Sequence, residues 1–267
     1  MGFMNETPVS CAYRDTCRSR SAAGRWGDAD HPPQDDGHLA GAREKRNRPM
    51  ITLYHCDGAR SFRPLWMLEE LGLAYELKML PFPPRVLAKD YLALNPLGTI
   101  PLMIDGETRM TESSGICHYL GVKYGPSFLM VGPDEPAYGA FLNWMYFSDA
   151  TLTFPQTLVL RYTQLEPEER RSQQVVTDYA RWFLGRLRAV EAATANAETL
   201  CAGRFTAADI VIGYALRLAE SVGLSKDFGP NVAAYWQRLQ AREGYQRALV
   251  SEQRAGIAQN VKPRVRA

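Results

Sequence analysis

The chain has 267 residues, 46% of them hydrophobic and 22% charged, with a formal net charge of +2; it is long enough to bury a substantial core and ordinary for a globular protein. So balanced a charge offers no bulk attraction to nucleic acid or to an anionic membrane, and no apolar stretch is long enough to span a bilayer. Five scattered cysteines (Cys11, Cys17, Cys56, Cys117 and Cys201) without a CxxC pair, and four histidines that do not cluster, argue against a disulfide framework or a metal site and for a reducing cytoplasm.

Residues 1–49 are rich in Arg, Asp, Gly, Pro and Ser, and their apolar residues follow no helical or strand period. Such a stretch buries too little apolar surface to offset its ordering entropy, so it reads as a disordered tail. It has neither the apolar core of a signal peptide nor the acid-poor composition of a transit peptide. Because Met50 begins a strand at once, an extension from a misassigned start codon fits equally well.

From Met50 the pattern tightens. Ile51-Thr52-Leu53-Tyr54 is a β-branched and aromatic run, hence a strand. Ser61 to Leu71 places Phe62, Leu65, Trp66 and Leu68 on a mainly apolar helix face, and Gly72 stops the helix. A strand at 75–80, a Pro-rich stretch at 81–84 and a helix near 86–94 follow. Leu102–Ile104 and Thr108–Thr111, joined by Asp105-Gly106, predict a hairpin. A helix over Ser113–Tyr124 closes a small α/β unit with a mixed sheet.

Residues 125–136 carry Gly-Pro breakers and read as a linker. Beyond them every long segment has a helical period. Tyr138, Phe141, Leu142, Met145 and Leu152 share one face; Val176, Tyr179, Phe183, Leu187 and Val190 another. Val211, Ala215, Leu218 and Val222 mark a buried helix, and Val232, Tyr235, Trp236 and Leu239 a fourth. Thr206-Ala207-Ala208-Asp209 is a capping box, in which Asp reaches back to the Thr that starts the helix. Glu166–Arg171 reads as a solvated helix start, and the basic run at 262–266 as a solvated tail.

The most informative segment is Asn95-Pro96-Leu97-Gly98-Thr99-Ile100-Pro101, with Glu112-Ser113-Ser114 eleven residues further on. Pro101 opens an apolar strand, a position where proline costs little of the ladder. The Ile-Pro step, the hairpin and a helix N-terminus bearing Glu-Ser together offer main-chain groups and an anion site to a small peptide ligand. A trans proline that merely starts a strand, and a plain N-cap at Thr111 or Ser113, remain the simpler alternatives.

Four motifs in this order, "RPLWMLEELGLAYE" (63–76), "NPLGTIP" (95–101), "TESSGICHYL" (111–120) and "GRFTAADIVIGYALRLAE" (203–220), resemble the cytosolic glutathione S-transferases of bacterial type. The resemblance covers roughly Met50 to Leu249. It implies a thioredoxin-like N-terminal domain (50–128) with a mixed four-stranded sheet, then an all-α domain (134–255) and a basic tail (256–267). It further implies a cis peptide at Pro101. The Ile100 N–H and C=O would pair with the cysteinyl unit of glutathione, and Ser113 and Glu112 would hold its γ-glutamyl end. The family reading gives the capping box a folding role and predicts a homodimer.

Activating glutathione requires its sulfur as a thiolate, whereas a free thiol has a pKa of about 8.5. In relatives a Ser, Tyr or Cys just after the first strand supplies the donor. The hydroxyl of serine-type relatives would fall at Gly58 or Ala59, and the bacterial cysteine would fall at Arg60. Three candidates remain: Ser61, Arg60 and Cys56. The resulting expectation is a glutathione transferase with glutathione as co-substrate and no metal. Thiol activation falls to Ser61 and Arg60, and a small hydrophobic electrophile lies against Tyr146, Phe154 and Tyr162. Glutathione-dependent isomerases, dehalogenases, ether-cleaving lyases or peroxidases, and a non-catalytic binding or assembly module, stay open as rivals on the same fold.

Overall fold

The computed structural model describes residues 50–125 and 127–263. Expectations for residues 1–49, and for the basic run past Pro263, lie outside the described residues.

β1 (Ile51–His55) runs parallel to β2 (Tyr75–Met79), with Leu53 opposite Leu77. β3 (Leu102–Asp105) is antiparallel to β1, with Tyr54 opposite Leu102, and β4 (Thr108–Met110) completes the order β2-β1-β3-β4. This is the mixed four-stranded sheet of a thioredoxin-like unit. α1 (Phe62–Leu71) crosses between β1 and β2, and Gly72 ends it in the left-handed conformation (φ 62°) that glycine adopts without strain. Pro64 falls in its first turn, where a missing N–H costs nothing.

The expected helix near 86–94 is two short pieces instead, α2 (Pro84–Leu87) and a 3₁₀ turn (Lys89–Ala93). Ala88 between them is non-helical (φ −135°, ψ 69°), which interrupts the i→i−4 ladder. The remaining sequence-predicted elements of this half stand within a residue of their places, ending with α3 (Ser113–Lys123).

The rest of the described chain is helical. α4 (Tyr138–Phe147) and α5 (Phe154–Leu160) are joined through π-helical turns at Ser148–Thr153, with another at Arg161–Leu165. Instead of a helix start, Glu166–Arg171 holds a 3₁₀ turn at Glu168–Arg170. The helix begins later, as α6 (Gln173–Ala193), because the Ser172 hydroxyl accepts from the Val175 amide at 3.4 Å. α7 (Ala207–Ser221), α8 (Pro230–Gln240) and α9 (Glu243–Ala258) follow. The capping box forms as expected, with the Thr206 amide donating to Asp209 at 2.8 Å. α7 is buried over nearly its whole length and forms the central post of this layer.

α1 is the hinge of the architecture: it packs on α3 below the sheet and on α7 and α9 from the helical layer. Phe62, Leu65, Trp66, Met67 and Leu68 are all fully buried. Each such side chain contributes roughly 1.5–3 kcal/mol by leaving water. Gly213 of α7 lets the two layers close, since a Cβ there would lie 2.8 Å from the Trp66 ring.

Candidate functional site

The stretch before β3 is braced from within. Asn95 donates to the Thr99 carbonyl at 2.9 Å, and the Tyr91 hydroxyl donates to the same oxygen at 2.8 Å. Gly98 takes a left-handed turn (φ 58°), where a Cβ would meet that of Arg85 at 2.6 Å. The brace presents Ile100, whose link to Pro101 is cis, as the resemblance implied. Neither the N–H nor the C=O of Ile100 has a hydrogen-bond partner among the described residues, although Leu102, two positions on, is already in the ladder. Unpaired main-chain groups on a largely buried residue call for a partner from elsewhere.

α3 begins with open amides. Its first closing bond runs from the Ile116 amide to the Glu112 carbonyl (2.8 Å), so the amides of Ser113, Ser114 and Gly115 have no main-chain acceptor among the described residues. Glu112 is exposed at the lip, whereas Ser113 is buried. The Ser113 hydroxyl accepts from Arg63 Nη1 at 2.9 Å, leaving its own proton for an incoming acceptor.

Arg63, the first residue of the motif at 63–76, organises this corner. It is fully buried, and all five of its N–H groups are used. Nε donates to the Val211 carbonyl (3.1 Å), Nη1 to Ser113 and Asp149 (2.9 and 2.5 Å), Nη2 to Ser148 and Thr153 (2.6 and 2.7 Å). Its guanidinium also lies over the Tyr214 ring, 4.6 Å from the centroid. The π-helical turn delivers Ser148, Asp149 and Thr153 together to this one cation. Ser114 in turn donates to Asp149 at 2.6 Å. Burial pushes the Asp149 carboxyl up, but the Arg63 charge and the Ser114 hydroxyl outweigh it and hold the group below its ordinary value. A charged residue inside the apolar run Phe62–Leu68 was the available signal for Arg63; for Asp149 there was none.

The loop between β1 and α1 carries the proposed activating residues. Ser61 sits at the helix start without capping it; its hydroxyl accepts from the Cys56 amide at 3.4 Å, and the residue is fully buried. Arg60 is partly exposed and close enough to Asp149 to help hold that carboxyl down. Cys56 is buried, its thiol 3.7 Å from the Pro81 carbonyl.

The three proposed pocket residues sit on α4, at the start of α5 and in the π-helical turn after it. Tyr146 is exposed on α4, Phe154 packs edge-on against Tyr179, and Tyr162 lies beside Arg161. No ring contact joins them among the described residues. Nor does any group of His, Cys, Asp and Glu side chains among the described residues have the arrangement of a metal site.

A family model described as the glutathione S-transferase N-terminal domain matches residues 59–123. The chain is 39% identical over 103 residues to glutathione S-transferase 3 of Schizosaccharomyces pombe, covering 39% of this chain and 43% of that protein. It is thus matched to less than half of the yeast protein's length. It is 27% identical over 214 residues to glutathione S-transferase GstB of Escherichia coli, covering 75% of this chain and 98% of the relative. A glutathione transferase crystal structure from Methylococcus capsulatus superposes with a TM-score of 0.66 at 27% identity, over 76% of this chain and 99% of that one.

Proposed function

We propose that this chain, which belongs to the glutathione S-transferase family, binds glutathione along Ile100 and joins its thiol sulfur to a small electrophile. The observations that carry this are the unpaired main chain of Ile100 and the open N-terminus of α3. The cysteinyl unit of glutathione pairs with the Ile100 N–H and C=O as a one-residue strand. Its γ-glutamyl carboxylate takes the free amides and the Ser113 hydroxyl, with the helix dipole favouring the negative end. Exposed Glu112 holds the ammonium.

For thiol activation, burial favours Arg60 as the group that meets the sulfur. A guanidinium beside a thiol favours the thiolate and lowers its pKa. Ser61 takes the supporting place, its oxygen holding the loop through Cys56 while its proton remains available to the sulfur. The thiolate then attacks the electrophile, the new carbon–sulfur bond forms and the leaving group departs with its electron pair. Holding both reactants in one cleft supplies much of the rate. Tyr146, Phe154 and Tyr162 are proposed to flank the electrophile's entry on the helical side.

One observation favours a second reading. With the only hydroxyl of the loop fully buried, a glutathione-binding module without transfer, or another glutathione-dependent reaction on the same fold, is the alternative. Retention on immobilised glutathione followed by thiolate absorbance of the bound tripeptide separates them. Retention with a lowered thiol pKa, and turnover of an aryl halide that falls in Arg60→Ala, supports the transferase. Retention with an ordinary thiol pKa and no turnover supports the binder. Failure to be retained removes both.

We also propose a homodimer, a division at residues 50–128 and 134–255, a role in detoxification and a cytoplasmic setting. Exposed Leu97, Val122, Phe128 and Tyr146 supply apolar surface for a second copy, and the buried thiols of Cys117 and Cys201 suit a reducing compartment.

A further inference from the structure

We infer that Glu252, reaching in from α9, acts with Tyr214 of α7 as a positioning residue for thiol activation, by fixing the loop that carries Arg60 and Ser61. The inference rests on the transferase reading above and assigns part of that machinery to the far end of the chain.

Glu252 is buried; one of its oxygens holds the base of the loop and the other binds an arginine of α7. Oε1 accepts from the Gly58 amide and from His55 Nε2, each at 2.9 Å, and Oε2 accepts from Arg217 at 2.5 Å. The Tyr214 hydroxyl donates to the Gly58 carbonyl at 3.3 Å. Both main-chain groups of Gly58 are therefore held by side chains of the helical layer. Gly58 itself is left-handed (φ 63°), a conformation that a side chain would resist.

The loop beyond Gly58 is tied to itself. The Ala59 amide donates to the Cys56 carbonyl (3.1 Å), the Phe62 amide to Ala59 (2.9 Å), the Arg63 amide to Arg60 (3.2 Å), and the Cys56 amide to Ser61 Oγ (3.4 Å). Being closed on itself, it moves as one piece, and Gly58 is where the helical layer grips it. Arg217 extends the grip by lying over the Phe62 ring, 3.7 Å from the centroid. Displacing Gly58 therefore displaces Arg60 and Ser61 together.

A purely structural tie would not need this chemistry. A buried ion pair contributes little net stability compared with well-packed apolar residues. Here the carboxylate also accepts from the amide two positions before Arg60, and a tyrosine on a different helix takes the carbonyl of that same residue.

The test uses the full-length protein and reads the pKa of bound glutathione's thiol from thiolate absorbance against pH, with kcat and KM measured separately. Tyr214→Phe removes one hydroxyl and keeps the ring. Glu252→Asp keeps the charge but shortens the reach to Gly58. In both, kcat is expected to fall roughly tenfold, because small misplacements of positioned groups cost rate. The bound thiol pKa should rise by about one unit, the equivalent tenfold loss of thiolate stabilisation. KM for glutathione should stay within about twofold, because the Ile100 and Ser113 contacts are untouched. Glu252→Gln should show the same signature, larger. If Glu252 variants do not fold, Tyr214→Phe decides alone.

Folded Tyr214→Phe with the parent's thiol pKa and kcat overturns the inference while leaving the transferase reading intact. A rise in KM alone also overturns it, since it would place the clamp in binding. A parent protein that leaves the thiol of bound glutathione unshifted removes both together.

Discussion

Two buried ionic clusters join the sheet to the helices, and they differ in completeness. Around Arg63 every donor has an acceptor, and the cation is saturated by five bonds. Around Glu252 the anion is saturated, but its partners are not: Arg217 Nη1 and His55 Nδ1 are buried without a hydrogen bond among the described residues. A fully satisfied polar network rigidifies its surroundings, whereas a partly satisfied one is held less firmly. The first cluster stands behind the helix end proposed to hold the γ-glutamyl group. The second stands behind the loop proposed to meet the sulfur. Binding thus rests on the stiffer support and chemistry on the softer one. Tyr214 links them, its ring under Arg63 and its hydroxyl on Gly58.

The contrast can be broken most severely at Arg63. Arg63→Ala leaves the half-buried Asp149 carboxylate without its cation and the buried Ser148 and Thr153 hydroxyls without their donor, and should destabilise the fold by about 3–5 kcal/mol, as loss of one partner from a buried ionic cluster does. Urea unfolding will measure this, and glutathione retention should be lost with it. A stable Arg63→Ala protein would show that saturation does not confer stiffness.

Acid comes next. Asp149 and Glu252 are both held below their ordinary values, each by neighbouring positive charge that outweighs the upward push of burial. A depressed carboxylate contributes stability fully above its unfolded pKa, about 3.9–4.3, and loses it as pH falls through the folded value. Unfolding free energy should therefore be level at neutral pH and drop below about pH 4. Asp209 works in the opposite sense, because burial outweighs its hydrogen bonds and raises it. Its ionisation costs stability, so its protonation offsets part of the acid loss. Urea titrations of the parent, Glu252→Gln and Asp209→Asn across pH 3–7 separate the signs.

Smaller changes sharpen the comparison. Ser114→Ala removes one hydrogen bond to a charged acceptor and should cost about 1.5 kcal/mol, with Asp149 shifting upward by NMR titration. Thr206→Ala lies outside both clusters and removes a helix cap, for which about 1 kcal/mol is expected. Its Tm should fall while the thiol pKa of bound glutathione stays where it was.

Much of the fold was legible because local periods and breakers carried it. Gly72 ends α1 where a left-handed residue was needed, and the Asp105-Gly106 turn sets the hairpin between β3 and β4. The starts of β3 and α3, which frame the proposed binding residues Ile100, Pro101 and Ser113, were readable because a strand start and a helix start announce themselves locally. The ionic clusters were not, since Arg63 meets Asp149 across 86 positions and Glu252 meets Gly58 across 194. A faint sign of the latter existed. Gly244, Tyr245, Ala248, Glu252 and Gly256 share one buried face of α9, so the acid occupies a core position. The helix expected over 86–94 failed for a local reason, the non-helical backbone of Ala88, which residue propensity does not reveal. The acceptor pocket stayed out of reach because Tyr146, Phe154 and Tyr162 sit on segments whose relative rotation is set by two π-helical turns.

The seam where the layers meet also has an optical consequence. Trp66 belongs to the sheet side, yet its ring lies 5.0 Å from that of Tyr245 and 5.9 Å from that of Phe205, both supplied by the helical side. An indole enclosed from both directions emits at short wavelength while the seam is shut and shifts to longer wavelength once water enters. In a variant retaining Trp66 as the sole tryptophan, fluorescence would time the parting of the layers independently of the melting of either.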